Sequence, residues 1–284
     1  MKKFFYAIIF IMLVVAIFNY AERFANKSRQ VLNDLKSQPV ISEMQKQVIT
    51  SGPLRGTVDR ADAYLTRTGV IIYTNQQRQN QGLSSLKENQ ILNQAAQAKV
   101  KDMFQGQYFE HISPIGRGPA DLAKDAGYEY IMIGENLALG NYKNDQDLVQ
   151  AWMNSPGHRA NILNNKYTEI GVAVGKGMFE GKQTWLAVQE FGRPLSDCPQ
   201  VDESLKAQID SQKSEIQNLE SQLKTIKAFL DQNEPSTKKE VEDYNKQVAD
   251  YNALVKIYNN KIDVLKQTTD RYNLQVRAYN ECLK

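Results

Sequence analysis

The sequence predicts an α+β domain with helices packed on an antiparallel sheet. It sits between an N-terminal transmembrane helix and a C-terminal antiparallel coiled-coil hairpin. Three observations predict this. Residues 4–18 form an unbroken apolar run. Between Leu65 and Val188 the apolar period changes from that of helices to that of strands. From Val241 to Leu283 apolar and tyrosine positions recur at alternating spacings of three and four, a heptad seam.

The chain opens Met1-Lys2-Lys3 ahead of the apolar run, which Asn19 and Tyr20 close. Roughly 17 residues at the helical rise span ~26 Å, slightly short of the ~30 Å hydrocarbon core. Arg23 and Phe24 spoil the approach to any small-residue cleavage site at Ala25, so residues 1–21 read as a signal anchor. Lys2 and Lys3 favour a cytoplasmic N-terminus. The expected localisation is therefore the cell membrane, single-pass, with everything after the anchor outside. Residues 22–60 read as a polar tether, broken at Pro39, Gly52-Pro53 and Gly56, with one helix near Ile41 to Ile49.

Composition narrows the function classes. Apolar residues make up 42% of the 284, enough for a real core. A net charge of +3, evenly spread, argues against nucleic acid as a partner. Two cysteines without a C-x-x-C exclude zinc ribbons and disulfide-dense scaffolds. There is no G-x-S-x-G, H-E-x-x-H, phosphate-cradling G-x-x-x-x-G-K or EF-hand loop. Ser113 and Ser155 each precede a proline and read as turn openers rather than nucleophiles.

The globular domain is assigned to residues 61–197. Leu65 to Gln79 carries a first helix, stopped by Gly82. Glu88 to Phe104 carries a second, where Leu92, Ala95, Ala96, Lys99, Val100 and Met103 follow the 3.6 period. A short helix starts at Pro119 and stops at Gly127, and a fourth starts at Asn144 or Asp145. Two strands follow, Ile170 to Val174 and Thr184 to Val188, joined by a glycine-rich turn over Gly175 to Gly181.

Both histidines of the protein lie between Phe109 and Gly171. His111 stands with Ser113-Pro114, Gly134-Glu135-Asn136 follows, then Trp152 with Ser155-Pro156-Gly157-His158-Arg159, then Tyr167-Thr168-Glu169-Ile170-Gly171-Val172. Four such motifs in this order resemble the bacterial branch of the CAP superfamily (SCP/PR-1-like: cysteine-rich secretory proteins, antigen 5 and pathogenesis-related 1), over roughly Leu65 to Gly192. The resemblance implies an α-β-α sandwich with a central cleft lined by two histidines and two acids. Carried over residue by residue, these are His111, Glu135, His158 and Glu169. In the eukaryotic pattern the second acid follows the helix tryptophan and the second histidine precedes Tyr/Phe-Thr-Gln. Ser155 and Lys166 hold those positions here.

Two neutral imidazoles and a carboxylate suit Zn²⁺ or another divalent metal, with His111 and His158 as ligands. Glu135 and Glu169 are then the catalytic acid-base candidates. A competing reading gives each residue a structural task. Glu135 satisfies backbone donors at a turn, His158 orients a loop, and Glu169 pairs with Arg159 or Lys166.

Residues 198–284 are the helical arm. Its long seam runs Val241, Tyr244, Val248, Tyr251, Val255, Tyr258, Ile262, Leu265, Thr269, Tyr272, Val276, Tyr279 and Leu283. A shorter one runs from Leu205 to Leu230, and Asn233-Glu234-Pro235 separates them. A Cys198–Cys282 disulfide would lock the hairpin base and suits an exported chain. The alternative is self-association or a partner helix recruited through residues 201–284. Three functions compete: a surface module binding a metal, lipid, glycan or peptide in the cleft; a metal-dependent or acid-base hydrolase of envelope material; and an adhesion protein working through the coiled coil.

Overall fold

The computed structural model describes residues 39–57 and 59–284. The transmembrane reading of residues 1–21 lies outside them. Among the described residues no helix is long and apolar enough to cross a membrane. The chain forms two compact units, one built on Glu43–Cys198 and the other on Pro199–Cys282.

The first unit is a six-stranded sheet with helices on both faces. Its elements are β1 (Gln47–Thr50), β2 (Leu54–Arg55), α1 (Arg67–Asn80), β3 (Lys87–Glu88), α2 (Gln90–Gly106), α3 (Pro119–Ala126), β4 (Tyr130–Leu139), α4 (Asp145–Asn154), α5 (Pro156–Ile162), β5 (Glu169–Phe179) and β6 (Lys182–Pro194). The strand order is β1-β4-β6-β5-β3, with β2 also on the β4 edge. The centre is antiparallel, while β1 and β2 run parallel to β4 and β3 parallel to β5.

Alternation sends successive side chains to opposite faces. Leu137, Leu139, Leu186 and Val188 meet Ala96, Val100 and Met103 of α2 on one face. Met132, Ala138, Ala187 and Phe191 meet Val70, Leu148 and Trp152 of α1 and α4 on the other. The α-β-α layering follows from a sheet apolar on both sides.

Several sequence expectations need correction. No helix forms near Ile41 to Ile49. Residues 47–50 are extended, because the β4 edge offers them a hydrogen-bonding ladder that a short polar helix would lack. The glycine-rich turn is shorter than expected. Strand β5 continues through Gly175 and Gly177, whose missing side chains make room for Val100 and Phe104 of α2, and the chain reverses only at Glu180-Gly181, both at positive φ. Gly134-Glu135-Asn136 is not a turn but the middle of β4, every residue of which is buried.

The second unit is a pair of helices, α6 (Glu203–Gln232) and α7 (Lys238–Cys282). They run antiparallel: Asp202 N donates to Gln275 at 2.9 Å, and Lys261 pairs with Glu215 at 2.6 Å. Leu205, Ile209, Ile216, Leu223 and Leu230 share one core with Tyr244, Val248, Tyr251, Val255, Tyr258, Ile262 and Leu265. At the start of α7, Thr237 and Glu240 form a capping box, with Glu240 accepting from Ser236 N and Thr237 N. Those bonds hold the Glu240 carboxyl down at about 2. Neither cysteine is free; Cys198 and Cys282 are both disulfide-bonded.

Candidate functional site

Three of the four residues expected in the cleft come together at the β4 edge. Glu135 points to the α2 face of the sheet and is fully buried. His111 sits in the loop after α2, and its Nδ1 lies 2.6 Å from Glu135 Oε1. Lys99, buried on α2, fixes that loop by donating to His111 O at 2.7 Å. His158 belongs to the first turn of α5, with Nδ1 2.8 Å from Ser155 Oγ. Asn136 ties α5 to the strand, donating to His158 O, while Asn161 Nδ2 donates to Glu135 O and Asn136 Oδ1.

Glu169 is not brought into this group. Its carboxylate accepts from Tyr128 OH at 2.7 Å and from Asn89 Nδ2 at 2.9 Å. Asn89 is the N-cap of α2, so Glu169 steadies a helix start. Neither Arg159 nor Lys166 is its partner in these bonds. The acid that does join the site is Glu190, which the sequence reading passes over. Glu190 lies directly opposite Glu135 in the β4–β6 ladder and is fully buried. A signal was there: an acid with the parity of Leu186 and Val188 in the apolar run Leu186–Phe191.

Two carboxylates facing each other across a ladder cannot both stay charged without strong repulsion. Burial first, then the Glu135 charge and a hydrogen bond to Glu135, push the Glu190 carboxyl well above its ordinary value, with Lys99 pulling weakly the other way. Of the two, Glu190 is the carboxyl that holds its proton more tightly, with Glu135 as its hydrogen-bond partner. Apart from that hydrogen bond, neither Glu190 oxygen has a partner, and Glu135 Oε2 has none either. Burial, reinforced by the charge of His111 and opposed by a backbone hydrogen bond to Leu137, pushes the His158 imidazole down to about 4, so it is neutral.

His111 Nε2 also has a partner, the carbonyl of Ser51. Both of its nitrogens therefore face oxygen atoms. The expected pair of metal ligands, His111 and His158, is not joined by a third among the described residues: no three His, Cys, Asp or Glu side chains converge there as ligands. Open hollows lie elsewhere, one of about 500 Å³ along α6 and α7 and one of about 290 Å³ beside Arg55.

The pattern of the cysteine-rich secretory protein (CAP) family matches residues 71–191. The uncharacterized protein YkwD of Bacillus subtilis (strain 168) is 34% identical over 185 residues, 60% of this chain and 69% of YkwD. The chain belongs to the CAP family. The uncharacterized membrane protein YlbC of the same organism is 33% identical over 107 residues, 38% of this CAP chain and 31% of YlbC. An extracellular SCP-domain protein from Bacillus anthracis str. Ames, solved by crystallography, is 29% identical with a TM-score of 0.39, covering 45% of this chain and 40% of that one. The CAP chain thus spans less than half of YlbC and of the B. anthracis protein.

Proposed function

We propose that this CAP protein is displayed outside the cell membrane and binds a ligand through His111, Glu135, Glu190 and His158. One observation carries the reading: three buried carboxylate oxygens, both of Glu190 and Oε2 of Glu135, lack protein partners other than one another. Each such atom costs about 1–3 kcal/mol, and a core built only for stability would replace them with apolar groups. With His158 they offer a proton donor, carboxylate acceptors and a neutral imidazole. This suits a ligand rich in amide or hydroxyl groups. The apolar run 4–18, the oxidised cysteines and the description of YlbC as a membrane protein support outward placement. In this reading the helical pair is a coiled-coil arm, closed by Cys198 and Cys282.

The test is titration of the full-length protein with Zn²⁺, short peptides and cell-wall glycan fragments, followed by tryptophan fluorescence. His111→Ala and Glu190→Gln are measured alongside. One probe class should saturate the parent and bind both variants at least tenfold more weakly. If no probe saturates, or both variants bind like the parent, the reading fails.

The raised proton affinity of Glu190 beside Glu135 also favours hydrolysis, because two carboxylates with separated proton affinities are a general acid and base. Turnover of a peptide or glycan by the parent that Glu190→Gln abolishes even at saturating substrate would establish it.

A further inference from the structure

Segment 47–51 lies beyond the CAP-pattern match and ends on the site. We propose that it is an internal strap filling the place of a polypeptide ligand, one laid extended and parallel to β4 with a backbone carbonyl on His111. This rests on the reading of His111, Glu135, Glu190 and His158 as a ligand site.

The hold is by main chain rather than side chain. Thr50 lies beside Glu135 in the ladder, yet of β1 only Ile49 is even half-buried, and Val48 is 44% exposed. Strand addition to a free sheet edge works this way, and its backbone bonds do not depend on sequence. The group on His111 is likewise a carbonyl, which any peptide has. A four-residue edge strand with so little apolar burial belongs to the weakly held parts of a fold.

The register supports a removable strap. Thr50 pairs with Glu135 and Leu54 with Ala138, so the strap spends one residue more than β4 between those points. The excess falls at Ser51-Gly52-Pro53, where the chain leaves the ladder and its carbonyl turns to His111. Beyond that break Arg55 is anchored, its guanidinium over Phe109 at 5.3 Å and Phe179 at 5.9 Å and paired with Glu180. Upstream, Ser51 makes one 3.3 Å hydrogen bond to Asn136 and packs where Gly157 leaves room. The strap also leaves the site incomplete. It satisfies His111 Nε2 and none of the open atoms on Glu135 or Glu190. A segment serving only to seal the cluster would meet them; an occupant standing in for something larger would not.

Gly157→Ala is the displacing variant. A Cβ there would lie 2.8 Å from Ser51 Cβ, and alanine favours the helix it joins. Ile49→Pro, which removes the backbone donor of the residue whose carbonyl faces β4, is the second. The probe is a fluorescein-labelled peptide with the chain's own sequence from Lys46 to Arg55, measured against the full-length protein by anisotropy. Amide exchange at residues 47–51 should accelerate at least tenfold in both variants, with β5 and β6 unchanged. The peptide should bind both at least tenfold more tightly than the parent, and adding His111→Ala should erase that gain. The inference is overturned if exchange accelerates without any gain in peptide affinity, if the gain survives His111→Ala, or if neither variant frees the segment. Glycan or Zn²⁺ binding that still depends on His111 would then leave the site itself standing. Loss of all His111-dependent binding would instead remove the broader reading.

Discussion

The two units make their cores from opposite materials. The helical pair buries leucine, isoleucine, valine and tyrosine, and among its described residues no Asp, Glu, His, Lys or Arg is fully inside. The CAP unit buries Arg78, Lys99, His111, Glu135, His158 and Glu190. Arg78 is answered by three backbone carbonyls, those of Ser84, Ile162 and Asn164. The last four converge and stay partly unanswered. One core is a solution to stability alone, and the other keeps a costly group of ionisable side chains for which stability gives no reason.

Both tryptophans, Trp152 and Trp185, lie in the CAP unit, so their fluorescence follows that core, while far-UV dichroism is weighted to the long helices. The largest contrast comes from Glu135→Ala, which strips His111 and Lys99 of a buried counter-charge. It should cost about 3–5 kcal/mol in tryptophan-monitored urea unfolding. Leu265→Ala should cost about 2–4 kcal/mol, from a cavity, and by the same amount at pH 5 and pH 7. Equal pH sensitivity of the two variants would break the contrast.

Acid should act through His158. Its folded value lies at about 4 against 6.5 unfolded. Below pH 6.5 only the unfolded chain takes the proton, so stability present at neutral pH is lost down to about pH 4, by roughly 2–3 kcal/mol. His158→Gln should flatten that slope. Glu190 has the opposite sign: above its ordinary value only the folded chain keeps the proton, so this group lowers stability as pH rises. Glu190→Gln, still able to donate to Glu135, should gain about 1–2 kcal/mol at pH 7. Smallest is Tyr128→Phe, which should lose about 1 kcal/mol with the Glu169 bond and leave ligand titrations unchanged.

The helical seam was legible because a heptad is local: each apolar position is spaced from the next by the helix itself. Four of the five helices of the CAP unit were legible for the same reason; α5 was not, because Ser155-Pro156 reads as a turn where it opens a helix. His111, Glu135 and His158 could be found through ordered motifs. Glu190 could not, because its partner is set by the β4–β6 register rather than by neighbours in sequence. Strand β4 was hidden by Gly134, which looks like a turn residue but is there because the Tyr167 ring occupies the space of a side chain. β1 was hidden because its polar residues carry no period and its ladder partner is distant.

That distance has a consequence for assembly. Ser51 meets Asn136 across 85 positions, whereas β5 and β6 are joined by a tight turn at Glu180-Gly181. Short loops close first and distant parallel pairings last. A nascent chain that emerges N-terminus first must wait for β4 before β1 has anything to join. The sheet centre and His111 pocket can therefore form while segment 47–51 is still unattached. By that distance, capture of the segment is expected among the late steps, with the parallel pairing of β3 on β5, and until then the polar pocket stands uncovered.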